Sequence, residues 1–395
     1  MDRPLSIAHC VEAYPPSIGG MAEVVRQLSE RMARQGHMVT VLTSAHPQRT
    51  SGMLNGVKVR SFAIKGNAVD GIQGGSGPYV DALRHGGFDV VTFFAAQQWA
   101  TDAALPHLAE IGARKVFVPT GFSALRDPRW AAYYRSMPAW LAAMDLNVFH
   151  SEGYQDAAFA ARLGLTNTVL IPNGASEEEF SGAVTGDIRG GLNLPENGQL
   201  VLHVGSFTGI KGHKEALELF IRAETADATL LLIGNGVHAL EHAYRTHPRF
   251  LGLRLRARLR RKRIAFREWD RRSTVAALRQ SDLFLFPSNL ECSPIVLFEA
   301  MAAGVPFLAS DAGNAAEIAR WSDGGWILPG RRDERGLVRT DIAAGARRLS
   351  VLLADRSLLQ RTGEAGRRAW RERFTWERIA HRYLEEYQRL VLRQP

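Results

Sequence analysis

An α/β chain folded as two doubly wound domains is what this sequence predicts, and three observations predict it. Short apolar runs alternate with helix-like stretches along the 395 residues. A segment rich in Gly, Asn and Pro, "SGAVTGDIRGGLNLPENG" (181–198), interrupts the alternation near the middle. Beyond it the same alternation begins again. Strands that alternate with helices build parallel sheets from βαβ units, and this length allows two or three domains.

Taken in order, "LSIAHCV" (5–11) is a buried strand, "MAEVVRQLSERMARQG" (21–36) an amphipathic helix ending at Gly36, and "HMVTVLTS" (37–44) a second strand. "FDVVTFF" (88–94), "RKVFVPT" (114–120), "LNVFHS" (146–151) and "NTVLIPN" (167–173) continue the first series. After the interruption come a strand "QLVLHVGS" (199–206), a helix "HKEALELFIRAE" (213–224) and a strand with its turn, "ATLLLIGNG" (228–236). "RIAFRE" (263–268), "DLFLFPS" (282–288) and "PFLAS" (306–310) follow as strands. Residues 364–390 read as one long charged helical stretch with apolar positions at Trp370, Phe374, Ile379, Tyr383 and Leu390. The expected organisation is a first domain over 1–185, a linker over 186–198, a second domain over 199–365 and a helical segment over 366–395.

Composition narrows the function classes. The chain is 46% hydrophobic and 23% charged, an ordinary globular balance. No apolar run reaches the ~18 residues that a membrane span requires. The opening "MDRPLSIAHCVEAYPPSIGG" lacks the basic region and long apolar stretch of a secretory signal. Cys10 and Cys292 are the only cysteines, so a reducing cytoplasm is expected and a disulfide framework is not. The formal net charge of +9 suits an anionic partner, whether nucleic acid, membrane surface or phosphorylated small molecule. It is unevenly spread, with seven cations in the ten residues "RLRARLRRKR" (254–263). In "FLGLRLRARLRRKR" (250–263), Leu251, Leu255 and Leu259 share a helical face surrounded by arginines. That pattern suits an interfacial helix on anionic lipid, and equally a solvated basic face. No aromatics are interleaved with the arginines to stack on bases, so no nucleic-acid role is expected.

The chemistry-bearing stretch is "NLECSPIVLFEAMAAG" (289–304). Ser293 suits an N-cap and Pro294 a first helical position. The helix 294–303 is then apolar on every side and should be buried, with Glu299 in its second turn. A buried carboxylate must have donors; sugar hydroxyls, a neighbouring Arg or a backbone amide would each serve. The helix N-terminus offers amides and partial positive charge to a phosphate. It follows the strand "DLFLFPS", and open α/β sheets bind ligands beyond the carboxyl ends of their strands. In "VGSFTGIKGHKEA" (204–216), Gly205, Gly209 and Gly212 punctuate a loop that carries Lys211 into a helix. This is either a phosphate-binding loop or a plain strand-to-helix turn with a solvated lysine; it fits neither the P-loop pattern nor the dinucleotide fingerprint. "GNG" (234–236) is a ligand loop or a simple turn. Gly19 and Gly20 in "YPPSIGGMAEVV" (14–25) allow close backbone approach to a ligand, or form an ordinary loop.

Together "GGMAEVV", "IPNG" (171–174), "GSFTGIKGH", "IGNG", "FTWERIA" (374–380) and above all the E-x7-E spacing from Glu291 to Glu299 resemble the retaining family-4 glycosyltransferases of the GT-B fold, from about residue 5 to 380. The resemblance implies two facing Rossmann-like domains, with a C-terminal helix returning to the first. It implies transfer of a sugar, with retention, from a nucleotide diphosphate sugar to a hydroxyl of a glycan or lipid-linked acceptor. Glu299 would take ribose hydroxyls. Glu291 and amides near Ser293, Pro294, Ile295 and Val296 would hold the donor sugar, and Lys211 the diphosphate. Glu291 and Lys211 would be the catalytic pair. Gly205, Ser206, Gly234 and Asn235 would complete the donor side, and Gly20 would let backbone approach the phosphates. Thr120, Gly121 and Asn173 would lie on the acceptor or sugar side. No D-x-D pair is present, so neither metal nor other cofactor is expected. The expected location is cytoplasmic, with peripheral contact at the inner face of the membrane through residues 250–263. Two departures stand out: Ser206 replaces the family's usual Arg five residues before the lysine, and Thr120 replaces its usual His. They keep two alternatives open, a nucleotide-sugar epimerase of similar fold and a non-catalytic nucleotide-sugar binder.

Overall fold

A computed structural model describes residues 3–184, 186–195, 197–225 and 227–392. The chain forms two compact units, Met1–Asn173 with Trp376–Pro395, and Gly174–Thr375.

The first unit is built on an eight-stranded sheet. Its order is Thr168–Leu170, Leu146–Phe149, Arg114–Val118, Val90–Phe94, Ser6–Cys10, Met38–Ser44, Val57–Phe62, Met53–Leu54. Every pairing is parallel except that of Met53–Leu54. The central strands Ser6–Cys10 and Val90–Phe94 are mostly apolar and almost wholly buried, because helices cover both faces of such a sheet. Strand order reverses between Ser6–Cys10 and Val90–Phe94, whose carboxyl ends feed residues 11–19 and 95–98. Helix Gly20–Arg34 buries Val24, Val25, Leu28 and Met32, a stripe at helical spacing. Against it lies helix Trp376–Leu392, joined by Gln35 Nε2 donating to Glu377 Oε1 at 2.8 Å. Tyr387 in that helix shares a 2.6 Å hydrogen bond with Thr92 of the sheet.

The second unit carries a six-stranded, wholly parallel sheet. The order is Arg263–Arg267, Ala228–Ile233, Gln199–Val204, Leu283–Phe286, Phe307–Ala309, Gly325–Ile327. Numbered along the chain this is 3-2-1-4-5-6, which reverses between Gln199–Val204 and Leu283–Phe286. A crevice at that reversal is where open α/β sheets take ligands. Helix Ile295–Ala303 packs against helix Arg356–Arg373. A Cβ on Gly363 would stand 2.1 Å from the Gly304 carbonyl oxygen, so only glycine lets the two approach so closely.

Three differences from the sequence reading have physical causes. The first unit ends at Asn173 rather than 185, because the segment beyond is anchored in the second unit. Phe180 lies in that unit's core, and Arg189 donates to the Gln280 carbonyl at 3.0 Å and pairs with Asp282 at 3.2 Å. The stretch 364–390 is not one helix. It breaks at Phe374, which is buried and whose carbonyl accepts from Ala175 N at 3.0 Å; the helix before the break belongs to the second unit and the helix after it to the first. The third difference is one residue at the E-x7-E helix. Pro294 is extended (ψ 111°) and stands as N-cap, so the helix starts at Ile295 rather than at Pro294.

Two antiparallel hairpins were not anticipated: Lys65–Asn67 with Gly71–Gln73, and Gly330–Arg332 with Val338–Thr340.

Candidate functional site

Three loops meet at the carboxyl ends of the second sheet's central strands. They are 205–212, 234–236 and 287–294. Asn289 N donates to the Ile210 carbonyl at 2.8 Å, and Phe207 N to the Asn235 carbonyl at 2.8 Å. A Cβ on Gly234 would sit 1.7 Å from the Gly205 carbonyl oxygen, so the contact between the first two loops requires glycine at 234. Gly212 has φ +78°, and a Cβ there would lie 2.1 Å from the Pro287 carbonyl oxygen.

Within this junction Lys211 Nζ lies 2.8 and 2.9 Å from the two carboxylate oxygens of Glu291. Ser288 Oγ donates to the same carboxylate at 2.7 Å. The Glu291 side chain is 9% exposed and that of Lys211 31%, so the cation is the member that faces outward. Ile295 and Val296 head the helix beside this pair, and the first amides of a helix have no partner within it. Ser293, Pro294, Ile295, Val296, Glu291, Lys211, Gly205, Ser206, Gly234 and Asn235 thus converge on one end of one sheet.

His213 is the first residue of the following helix, and its Nε2 is 2.9 Å from the Gly205 carbonyl oxygen. Burial, with Lys211 adding repulsion, lowers its pKa to about 4. The ring is therefore neutral and carries its proton on Nε2, since a carbonyl only accepts. His213 in this way holds the loop that carries Ser206.

Glu299 is 4% exposed and its Oε1 is 2.7 Å from Arg271. Arg271 also donates to both oxygens of Glu179, at 3.0 and 2.5 Å. Burial works against the charge on Arg271, but Glu299 and Glu179 outweigh it and hold the guanidinium protonated, above its usual range. Of the donors the sequence left open for Glu299, the fold supplies a neighbouring arginine.

Several residues here escaped the sequence reading. Arg271 is one, far from Glu299 along the chain and with no motif to mark it. Gly313 and Asn314 are others. Asn314 N donates to the Cys292 carbonyl at 2.8 Å and its Nδ2 to Ser293 Oγ at 3.2 Å. Gly313 has φ +62°, and a Cβ would stand 2.2 Å from the Cys292 oxygen. Their signal was a Gly-Asn turn just after a strand.

Gly20, Thr120, Gly121 and Asn173 belong to the first unit. Gly20 opens helix Gly20–Arg34; Asn173 is buried. Thr120 has φ +60° and Gly121 φ +105°. Ala95, Gln97 and Phe122 share that left-handed conformation at φ 64°, 66° and 52°. Four non-glycine residues so held, just past the adjacent strands Val90–Phe94 and Arg114–Val118, form the kind of strained cluster that accompanies ligand sites. Beside them Asp102 is buried and accepts from Tyr133 OH at 2.7 Å and Ala68 N at 2.9 Å. Burial pushes its pKa up to about 6. Burial and then Asp102 raise the neighbouring Glu12 as well. None of this acidic group was read from the sequence.

Among the described residues, no helix is long and apolar enough to cross a membrane. Residues 18–179 match the family described as Glycosyltransferase Family 4, and residues 184–369 the one described as Glycosyl transferases group 1. A phosphatidyl-myo-inositol mannosyltransferase of Mycobacterium tuberculosis is 26% identical over 398 aligned positions, covering 94% of this chain and 93% of that one. Among solved structures, the sucrose-phosphate synthase of Thermosynechococcus elongatus superposes with a TM-score of 0.77 at 21% identity, over 98% of this chain and 99% of the other. Anabaena HepE in complex with UDP gives 0.74 at 17% identity, over 98% and 100%.

Proposed function

The chain belongs to the group 1, family-4 glycosyltransferases and carries their Rossmann-like domains, and from that premise we propose that it moves a sugar from a nucleotide diphosphate donor to an acceptor hydroxyl with retention at the anomeric carbon and without a metal ion. The observation that supports this reading is the Lys211–Glu291 pair at the reversal of the second sheet, beside the start of helix Ile295–Ala303. A diphosphate there meets a lysine, the loop 205–212 and a helix N-terminus, all favouring negative charge. As the bond from the anomeric carbon to the diphosphate oxygen breaks, charge builds on the leaving oxygen. A cation aimed at that charge stabilises the transition state more than the ground state. The new bond forms between the anomeric carbon and the acceptor oxygen, and the hydroxyl proton is released.

Glu291 in this reading serves twice. It holds Lys211 in place before the donor arrives, and it offers oxygens to the donor sugar once the diphosphate draws Lys211 away. The acceptor is a glycan or a lipid-linked molecule, in keeping with the lipid named in the mycobacterial relative. With a lipid acceptor goes peripheral contact of residues 250–263 with an anionic membrane.

The test is nucleoside diphosphate release from a panel of nucleotide sugars, with and without acceptor, after thermal shift has picked out the nucleotides that bind. Release only in the presence of acceptor is expected. Turnover of donor without acceptor indicates an epimerase, and binding without turnover a non-catalytic protein. NMR of the product's anomeric proton settles the stereochemistry, an α-donor giving an α-product.

A further inference from the structure

We infer that helix Leu251–Leu259 enters the interfacial layer of an anionic membrane leucine-edge first, with its arginines mainly serving the protein and only secondarily the lipid. This deepens the membrane contact proposed above and rests on it. Leu251, Leu255 and Leu259 are 62%, 58% and 76% exposed. At intervals of four residues they form one edge of the helix, while Ala257 and Leu253 on the other side pack into the second unit's core. Single exposed leucines are normal on any surface. Three in a row on nine residues call for something to cover them.

The seven cations of 254–263 account for less of the surface than their number suggests. Arg254 donates to the Tyr244 carbonyl at 3.0 Å and to that of Arg245, at the end of helix Val237–Thr246. Arg256 and Arg260 reach the carbonyls of Arg222 and Ala223, each at 3.4 Å. Lys262 is buried; its Nζ donates to the Ala223 carbonyl at 2.6 Å and to that of Phe220, closing helix His213–Arg222. Arg261 pairs with Asp227 at 2.7 Å, and Arg263 donates to the Asn193 carbonyl. Cations at a helix carboxyl end satisfy its last carbonyls and its dipole. The basic run is therefore explained largely as a double helix cap, and that explanation leaves the leucines untouched.

The occupant that fits them is lipid. Arg258, beside the leucines on the helix, has no partner among the described residues. Arg254, Arg256 and Arg263 bond to neutral carbonyls and keep their charge. The leucine edge is thus set in a positive field, which suits an anionic interface. A second copy of this chain would bring the same positive field against itself.

The experiment is flotation of the full chain with vesicles of phosphatidylcholine alone and of phosphatidylcholine mixed with phosphatidylglycerol. Binding to the mixed vesicles is expected. The variant L251S/L255S/L259S, altered only at exposed positions, should lose about a hundredfold in partitioning. R258Q should lose only a few-fold, comparable to a rise in salt. Absence of binding by the native chain, or equal binding by the triple-serine variant, overturns the inference. So does a native dimer, seen by light scattering, that the triple-serine variant abolishes. Transfer to a water-soluble acceptor should be unchanged in that variant. That readout separates a failure of this inference from a failure of the glycosyltransferase reading.

Discussion

Lys211 and Glu291 clasp each other through both carboxylate oxygens, at 2.8 and 2.9 Å, across two loops of one sheet. The residue proposed to receive the leaving diphosphate is therefore already held by an anion. On that proposal donor binding would exchange one anionic partner for another, and the lysine would arrive at the chemistry already oriented.

Lys211→Ala should lower kcat by roughly 10²–10³, the usual loss when one donor to a developing charge is removed. The fold should survive, because Lys211 lies in a loop outside the apolar core and Ser288 still donates to the Glu291 carboxylate. Lys211→Arg should recover part of the rate, a guanidinium differing in reach and shape. Steady-state kinetics with circular dichroism checks this, and wild-type kcat in a folded Lys211→Ala would remove the lysine from the diphosphate site.

Ser206→Arg supplies the cation that the resemblance to family-4 glycosyltransferases leads one to expect in this loop. A charge-assisted bond to the diphosphate should tighten nucleoside diphosphate binding about tenfold. Calorimetric titration measures it. Unchanged affinity would mean that the diphosphate does not pass within reach of 206.

Arg271→Ala leaves Glu299 buried without its cation. Breaking a buried pair costs about 3–5 kcal/mol, but the Arg271 side chain is 43% exposed, which reduces the expected loss to ~1–3 kcal/mol. The Tm should fall by several degrees, and Arg271→Ala with Glu299→Gln should regain most of it. A double-mutant cycle by thermal unfolding reads the coupling; additive effects would show the pair to be energetically idle.

Transfer activity should persist in excess EDTA, because in the proposed site Lys211 and the helix start would take the place of a cation at the phosphates. Assays of nucleoside diphosphate release across added Mg²⁺, Mn²⁺ and chelator decide the matter. A strict metal requirement would contradict this phosphate site.

Asp102 gives a pH signature. Burial raises its pKa from 3.8 to about 6 in the folded chain, so between those values the folded state binds more protons than the unfolded one. Stability from this group is complete below pH 3.8 and is lost as pH rises through 6. The unfolding free energy of the native chain minus that of Asp102→Asn should therefore shrink by about 2 kcal/mol from pH 4 to pH 6.5 and level off beyond. A pH-independent difference would refute the shift.

Much of this was legible from local pattern. Strands such as Leu283–Phe286 are unbroken apolar runs, and Gly20–Arg34 repeats its apolar residues at helical spacing, so the local pattern alone marks them. Lys211, Glu291 and the glycines at 205, 212 and 234 lie in loops whose chemistry is visible along the chain. Arg271, Asn314 and the acidic group around Asp102 were hidden because their meaning lies in partners brought near only by folding. The break at Phe374 was hidden for a related reason. Nothing in "RERFTWERIA" forbids a continuous helix; the interruption comes from a carbonyl engaged by Ala175. Short hairpins such as Lys65–Asn67 with Gly71–Gln73 are too brief to show any period.

The bridge between Ala175 and Thr375 places the entrance and exit of the second unit next to each other. In modular terms that unit is a cassette, spliced into a host fold at one point, with a single doorway for both chain ends. Such a cassette can be lifted out whole, its neighbouring ends needing no long spacer, whereas truncation from the C-terminus strips the host of Trp376–Leu392 long before it trims the cassette. Exchange of donor preference between relatives should therefore proceed by transplanting 174–375 as one piece, with the seam at this bridge.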